Sequence, residues 1–226
     1  MSAASTEIFA SAPLRRLLAD EVRGLLPDLQ RCRGDHGLLI SAIDGDCPPG
    51  VPMLSCWTRL VLSGPRYGGD VVGRVEEPLP FVDDAFELVV LRHALETVTA
   101  PAAWLDESLR VLAPGGVCVV SGLHPVSLWM PWLAWHTRRH ALRLHMPLQI
   151  GEWLRRRDMQ VECVRRLGPA WPRVEGGPGL GEALGGAYVL IARKRRRAVT
   201  PLRLVPRPLK APVDVGLAPG ARRNIA

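Results

Sequence analysis

Phe86-Glu87-Leu88-Val89-Val90-Leu91, then Pro101-Ala102-Ala103-Trp104-Leu105-Asp106-Glu107-Ser108-Leu109-Arg110-Val111-Leu112, then Pro114-Gly115-Gly116 before Val117-Cys118-Val119-Val120-Ser121, is the stretch that decides the fold. A short Val- and Leu-rich run suits a strand covered on both faces. Pro101 has the φ of a first helical turn, and Leu105, Leu109 and Leu112 then recur on one helical face. Pro114-Gly115-Gly116 turns the chain into a second apolar run. Strand, helix, strand is a βαβ unit, with parallel strands joined by a right-handed crossover.

Outward from this unit the same two periodicities continue. Leu14, Leu17, Leu18, Val22, Leu25, Leu26 and Leu29 are spaced for one face of an N-terminal amphipathic helix. Strands are predicted at Gly37–Ile43, Arg59–Leu62, Asp70–Val75, Phe86–Leu91, Val117–Ser121, Val161–Arg165 and Ala187–Ala192. Ser127 to Leu144 and Leu148 to Arg157 read as helices, with Pro131 interrupting or starting the first. The expectation is an α/β fold: a doubly wound, mainly parallel, seven-stranded sheet with interleaved helices, over residues 1–197. Residues 198–226, rich in Pro and Arg without apolar periodicity, are expected to form a disordered tail.

The formal charge of +7 suggests nucleic acid until its distribution is read. Ten of the 29 Lys and Arg, with Asp214 the sole acid, lie from Arg193 on, leaving 19 basic and 21 acidic residues before it. The body is nearly neutral, so any sequence-independent contact with nucleic acid or an anionic membrane belongs to the basic tail at 193–223. No apolar run approaches the roughly 20 residues of a membrane span, and Met1 to Pro13 has no basic flank leading into an apolar stretch, so a cytoplasmic location is expected. The five cysteines are scattered without a CxxC pair, and no metal site is expected.

Glu77-Pro78-Leu79-Pro80-Phe81-Val82-Asp83-Asp84-Ala85-Phe86-Glu87-Leu88-Val89-Val90 resembles the "AE-x-LPF-x-D-x-SFD-x-V" segment of class I S-adenosylmethionine (SAM) methyltransferases, in the type 11, small-molecule branch. His93-Ala94-Leu95-Glu96 resembles that branch's "H-x-L-E/H", and Leu105 to Gly116 its "L-x-E-x-x-R-V-L-K-P-G-G". Ser121-Gly122-Leu123-His124-Pro125-Val126-Ser127-Leu128-Trp129 is similar to the "SG-x-x-P-x-SLW" of a bacterial methyltransferase-like subgroup. The resemblance implies a Rossmann-like domain, methyl transfer to a small-molecule acceptor, and SAM as cofactor. SAM would be held around Ile43, Asp44, Gly45 and Asp46, by Glu77 and Leu79, and by Arg92 and His93.

The first strand of the family ends in "E/D-x-G-x-G-x-G". Here one glycine, Gly45, stands where three are usual, and Pro48-Pro49 follow. The second strand lacks the acid that holds the ribose in the family. Asp44 or Asp46 either replaces that acid or forms an Asx turn with Gly45. Glu77 either frames the adenine pocket or is a solvated charge before Pro78. His124, after the fifth strand, is the candidate general base, with a helix-capping histidine as its other reading. Trp129, Trp132 and Trp135, followed by His136, Arg138, Arg139, His140 and Arg143, either line an acceptor pocket, touch a membrane, or form a buried face with a basic back. Two functions stay open: a SAM-dependent methyltransferase, or a non-catalytic relative binding a partner, nucleic acid or membrane through its tail or tryptophan helix.

Overall fold

The βαβ unit appears in the computed structural model as strand β5 (Phe86–Arg92), helix α2 (Pro101–Arg110) and strand β6 (Leu112–Leu123), with β5 and β6 parallel. The structure describes residues 8–136, 142–172 and 184–195, all within a unit that ends at Arg196. The remaining elements are α1 (Ala12–Leu29), β1 (Gly34–Ser41), β2 (Leu54–Ser63), β3 (Arg66–Gly69), β4 (Gly73–Arg74), α3 (Met130–His136), α4 (Pro147–Arg155), β7 (Met159–Leu167) and β8 (Ala187–Lys194). The sheet order is β4-β3-β2-β1-β5-β6-β8-β7. Strands β2, β1, β5 and β6 are parallel, and each edge is closed by antiparallel strands.

Two expectations need correction. Among the described residues the sheet has eight strands, because the strand expected at Asp70–Val75 is replaced by two antiparallel ones, β3 returning on β2 and the two-residue β4 on β3. Gly64-Pro65 turns the chain, with Gly64 at φ +61°, so that Leu62 pairs with Tyr67 and Ser63 with Arg66. Gly69, at φ +120°, lies so close to β2 that a Cβ there would stand 2.3 Å from the Arg59 carbonyl oxygen. Interleaved helices are also missing from the first half. Residues 42–53, between parallel β1 and β2, contain no helix, since Pro48, Pro49 and Pro52 withhold three backbone donors from any helical ladder.

The N-terminal helix takes over one face of the sheet. Strand alternation sends Leu39, Leu88, Val90, Val117, Val119, Val189 and Ile191 toward Leu25 and Leu29 of α1. The other set, including Leu38, Ile40, Val89, Leu91, Cys118 and Val120, packs with Trp104, Leu105 and Leu109 of α2 and Ile150 and Leu154 of α4. The same period of two places Ser41, Arg92 and Ser121, at the carboxyl ends of β1, β5 and β6, on the α1 side.

Pro114-Gly115-Gly116 lies within β6 as an irregularity, with the register against β5 shifting between Phe86 and Leu88. Gly115 has φ +85°. A Cβ on Gly116 would meet the Ala113 carbonyl oxygen at 2.8 Å and the Glu87 carbonyl oxygen at 2.9 Å. Backbone cannot swing aside like a side chain, so Gly116→Ala is expected to destabilise by about 1–3 kcal/mol. A urea midpoint equal to that of the wild type would refute this.

Candidate functional site

At the carboxyl ends of β1, β2 and β5 lies a cavity of about 1020 Å³. That is at the upper end of the range for ligand sites. Its walls are the 43–50 turn, Val61, Leu62 and Ser63 of β2, Arg92 of β5, and Phe9, Arg15, Leu18, Ala19 and Val22 from the N-terminal segment and α1. Ligands in doubly wound sheets bind outside these strand ends. Gly45 adopts φ +68°, a left-handed conformation costly for other residues, and no atom lies within 4 Å of where its Cβ would stand. The turn therefore offers bare backbone to the cavity.

Behind the cavity wall lies a buried ionic chain. The Ser41 hydroxyl donates to Asp46 Oδ2 at 2.7 Å and accepts the Ile43 N–H at 3.1 Å, tying the turn to the end of β1. Arg92 donates from Nη1 to Asp46 Oδ1 and from Nε to Glu21 Oε1 at 3.4 Å. His93 faces Glu21 Oε2 through Nε2 at 3.0 Å and Glu96 Oε2 through Nδ1 at 3.1 Å, with Phe9 tilted against its ring. Glu96 Oε1 accepts the Leu123 N–H, so the chain runs from the cavity to the end of β6.

Charge decides the protonation of this chain. Burial pushes Glu21 upward, but the facing His93 and Arg92 charges outweigh it and hold the carboxyl at about 2. Burial pushes His93 downward, and Glu96 and Glu21 outweigh it, raising the imidazole to about 10. His93 is thus an imidazolium donating from both nitrogens. Its backbone sits at φ 52°, an arrangement of order 1–3 kcal/mol above the common wells that the two carboxylates help to hold.

Of the residues singled out from sequence, Ile43, Asp44, Gly45, Asp46 and Arg92 line the cavity. Asp44 is exposed at its wall, whereas Asp46 is buried on Arg92 and Ser41. His93 is fully enclosed behind Arg92. Glu77 is exposed and Leu79 belongs to the core on the α2 face, its N–H on Glu107 at 3.1 Å; neither lines the cavity. His124 is half-buried beyond β6, its ring edge-on to Tyr188, and its Nδ1 accepts the Val126 N–H at 3.1 Å. Burial, with Arg166 nearby, pushes its pKa down, so it is a neutral imidazole with the proton on Nε2.

The tryptophan stripe divides. Trp129 is buried and donates to the Pro169 carbonyl oxygen at 2.9 Å, Trp132 is half-buried beneath a stacked His136, and Trp135 is exposed. Helix α3 is described only from Met130 to His136, so Arg138, Arg139 and His140 lie outside the described residues, as does the tail from 198. The sequence reading missed Glu21 and Arg15. Glu21 had a signal: it stands seven residues after Leu14, three after Leu18 and four before Leu25, an acid within the apolar stripe itself.

Comparison with known proteins bears on the fold. Residues 56–120, from β2 into β6, match the Methyltransferase domain family. A SAM-dependent methyltransferase from Thermotoga maritima superposes with a TM-score of 0.55 at 16% identity, over 84% of this chain and 94% of that one. A demethylmenaquinone methyltransferase of Clavibacter sepedonicus is 50% identical over 42 residues, 19% of this chain and 17% of its own. A chloroplastic 2-methyl-6-phytyl-1,4-hydroquinone methyltransferase of Oryza sativa subsp. japonica is 27% identical over 107 residues, 47% of this chain and 31% of its own. The chain spans about a third or less of the length of the curated relatives it matches. The chain has the fold of the class I methyltransferases, and its segment from Cys56 to Val120 is similar to the methyltransferase domain. The match begins within β2, so the walls supplied by α1 and the 43–50 turn lie outside it.

Proposed function

We propose that this chain is a SAM-dependent methyltransferase acting on a small-molecule acceptor, with SAM held in the cavity at the ends of β1, β2 and β5. The observation that carries the reading is that cavity, placed where a class I fold binds its cofactor and floored by the bare backbone of Gly45. Its lining suits the cofactor. The exposed Asp44 carboxylate answers an ammonium or ribose hydroxyl, Val61 and Leu62 offer an apolar wall to a flat base, and the open backbone at Gly45 and Gly50 admits close approach. SAM bound there supplies a methyl group on an electron-poor sulfur.

Methyl transfer needs chiefly alignment, and the residues around the cavity provide it. Arg92 is held by two acids, and Glu21 and His93 behind it are fully enclosed. His93, enclosed and protonated, supports Arg92 rather than meeting the acceptor. In this reading His124 presents Nε2–H to an acceptor as a donor, because its Nδ1 is already an acceptor for Val126. The relatives named for hydroquinone and demethylmenaquinone substrates suggest an apolar ring-bearing acceptor, and exposed Val126, Leu128 and Trp135 offer apolar surface beyond β6. Arg193 pairs with Glu162 and Lys194 with Asp84. A nucleic-acid or membrane contact would therefore draw on the later basic residues.

Isothermal titration with SAM and S-adenosylhomocysteine, alongside thermal denaturation, tests the reading. Micromolar binding is expected, with a stabilisation of about 2.7 kcal/mol at a hundredfold excess over Kd. Asp44→Ala should weaken both ligands. Absence of heat and of any melting shift at millimolar ligand would end the reading.

A further inference from the structure

We propose that Arg92 and Arg15 form a carboxylate-recognition subsite in the cavity and engage the amino-acid carboxylate of the cofactor; this rests on the reading above. Arg92 is 4% exposed, and the cavity reaches it. Its Nε and Nη1 are committed to Glu21 and Asp46, which leaves the Nη2 edge for a ligand. Two acids fix the guanidinium, so little orientational entropy is lost when a third oxygen binds. Arg15, exposed near the start of α1, the helix whose Glu21 holds Arg92, lines the same cavity.

This pair answers a need created by the turn. A loop with three glycines can direct several backbone N–H groups at a ligand anion. The 43–50 turn has Gly45 and, after two prolines, Gly50, and it spends the Ile43 N–H on Ser41 and the Asp46 N–H on the Ile43 carbonyl. Side-chain guanidinium groups then supply the donors that the backbone does not. Asp46 is bonded to Arg92, so the carboxylate left at the turn for the ligand's ammonium is the exposed Asp44, with the two arginines left for its carboxylate.

The test is isothermal titration of the full chain with S-adenosylhomocysteine and with S-adenosyl-3-thiopropylamine, the same molecule without its carboxylate. The wild type is expected to bind S-adenosylhomocysteine roughly tenfold or more tightly, the worth of a charge-assisted hydrogen bond. Arg15→Gln, at an exposed position where folding can be checked by an unchanged melting temperature without ligand, should weaken S-adenosylhomocysteine alone and narrow the gap. Arg92→Lys should narrow it further. Equal affinity of the wild type for the two ligands overturns the proposal, and so does an equal loss of both in Arg15→Gln. Binding of neither ligand overturns the cofactor reading itself, an outcome distinct from binding both alike.

Discussion

Arg92→Leu is expected to destabilise the protein by about 3–5 kcal/mol, the cost of removing one partner from a buried ion pair. For a domain of this size that lowers the melting temperature by roughly 10 °C. The substitution leaves Asp46, a buried carboxylate, with the Ser41 hydroxyl, and takes from Glu21 the Arg92 charge that partners it beside His93. Leu fills much of the volume of the Arg stem, so the loss comes from uncompensated charge rather than from a void. The double variant Arg92→Leu/Asp46→Asn separates these causes. Neutralising the stranded acid should restore roughly 1–2 kcal/mol, a coupling readable by urea denaturation of the four proteins in the cycle. A single-variant loss below about 1 kcal/mol would mean that water reaches the chain and that α1 does not seal it.

Stability should also fall as pH rises above neutrality. Folded His93 keeps a proton up to about 10, whereas the unfolded chain releases it near 6.5. Its contribution is therefore fully present below about 6.5 and is lost as pH climbs toward about 10, by at most ~1.4 kcal/mol per pH unit. Glu21 acts in the opposite direction. Held at about 2 against an ordinary 4.5, it contributes above about 4.5, and its contribution is lost as pH falls through about 2. The two leave a plateau between about 4.5 and 6.5. Urea midpoints between pH 6.5 and 8.5, below the range of lysine and most thiols, should decline steadily. Glu96→Gln should bring the alkaline loss to lower pH by removing one of the charges that raises His93. A flat profile across that window would show that His93 is neutral in the fold.

The two results would have different bearings on function. A large Arg92 effect establishes the ionic chain as a structural wall of the cavity, while the carboxylate test asks what that wall binds. His93 shows why a family position does not settle a role. It follows β5 as the resemblance leads one to expect, yet α1 and Phe9 enclose it, and Glu21 and Glu96 occupy both its nitrogens.

Local chemistry decided much before any long-range contact. The Val- and Leu-rich runs at Phe86–Leu91 and Val117–Ser121, the Pro101 helix start and the leucine stripe of α1 each specify their element through spacing and backbone freedom alone. The motifs from Glu77 to Gly116 imply the class I fold by their resemblance to that family, since their order and spacing lie within one continuous stretch. The 43–50 turn could be read only as departing from the family pattern, because local sequence shows which donors are missing and not what replaces them.

The ionic chain beside that turn is built by pairs distant in sequence. Glu21 reaches Arg92 and His93 across 71 and 72 positions, and Asp46 reaches Arg92 across 46. Nothing at positions 92 and 93 reveals that their partner is an acid on the first helix. Nor does an acid in a leucine stripe reveal what it will meet. Sequence by itself determined the βαβ unit, the amphipathic first helix and the fold class, because these follow from periodicity within single segments. Only the tertiary structure decided that α1 closes the cavity, that the Asp70–Val75 segment yields its place to a hairpin, and that five charged groups share one buried chain. Those outcomes depend on which strand ends converge, and the pairing of the whole sheet sets that.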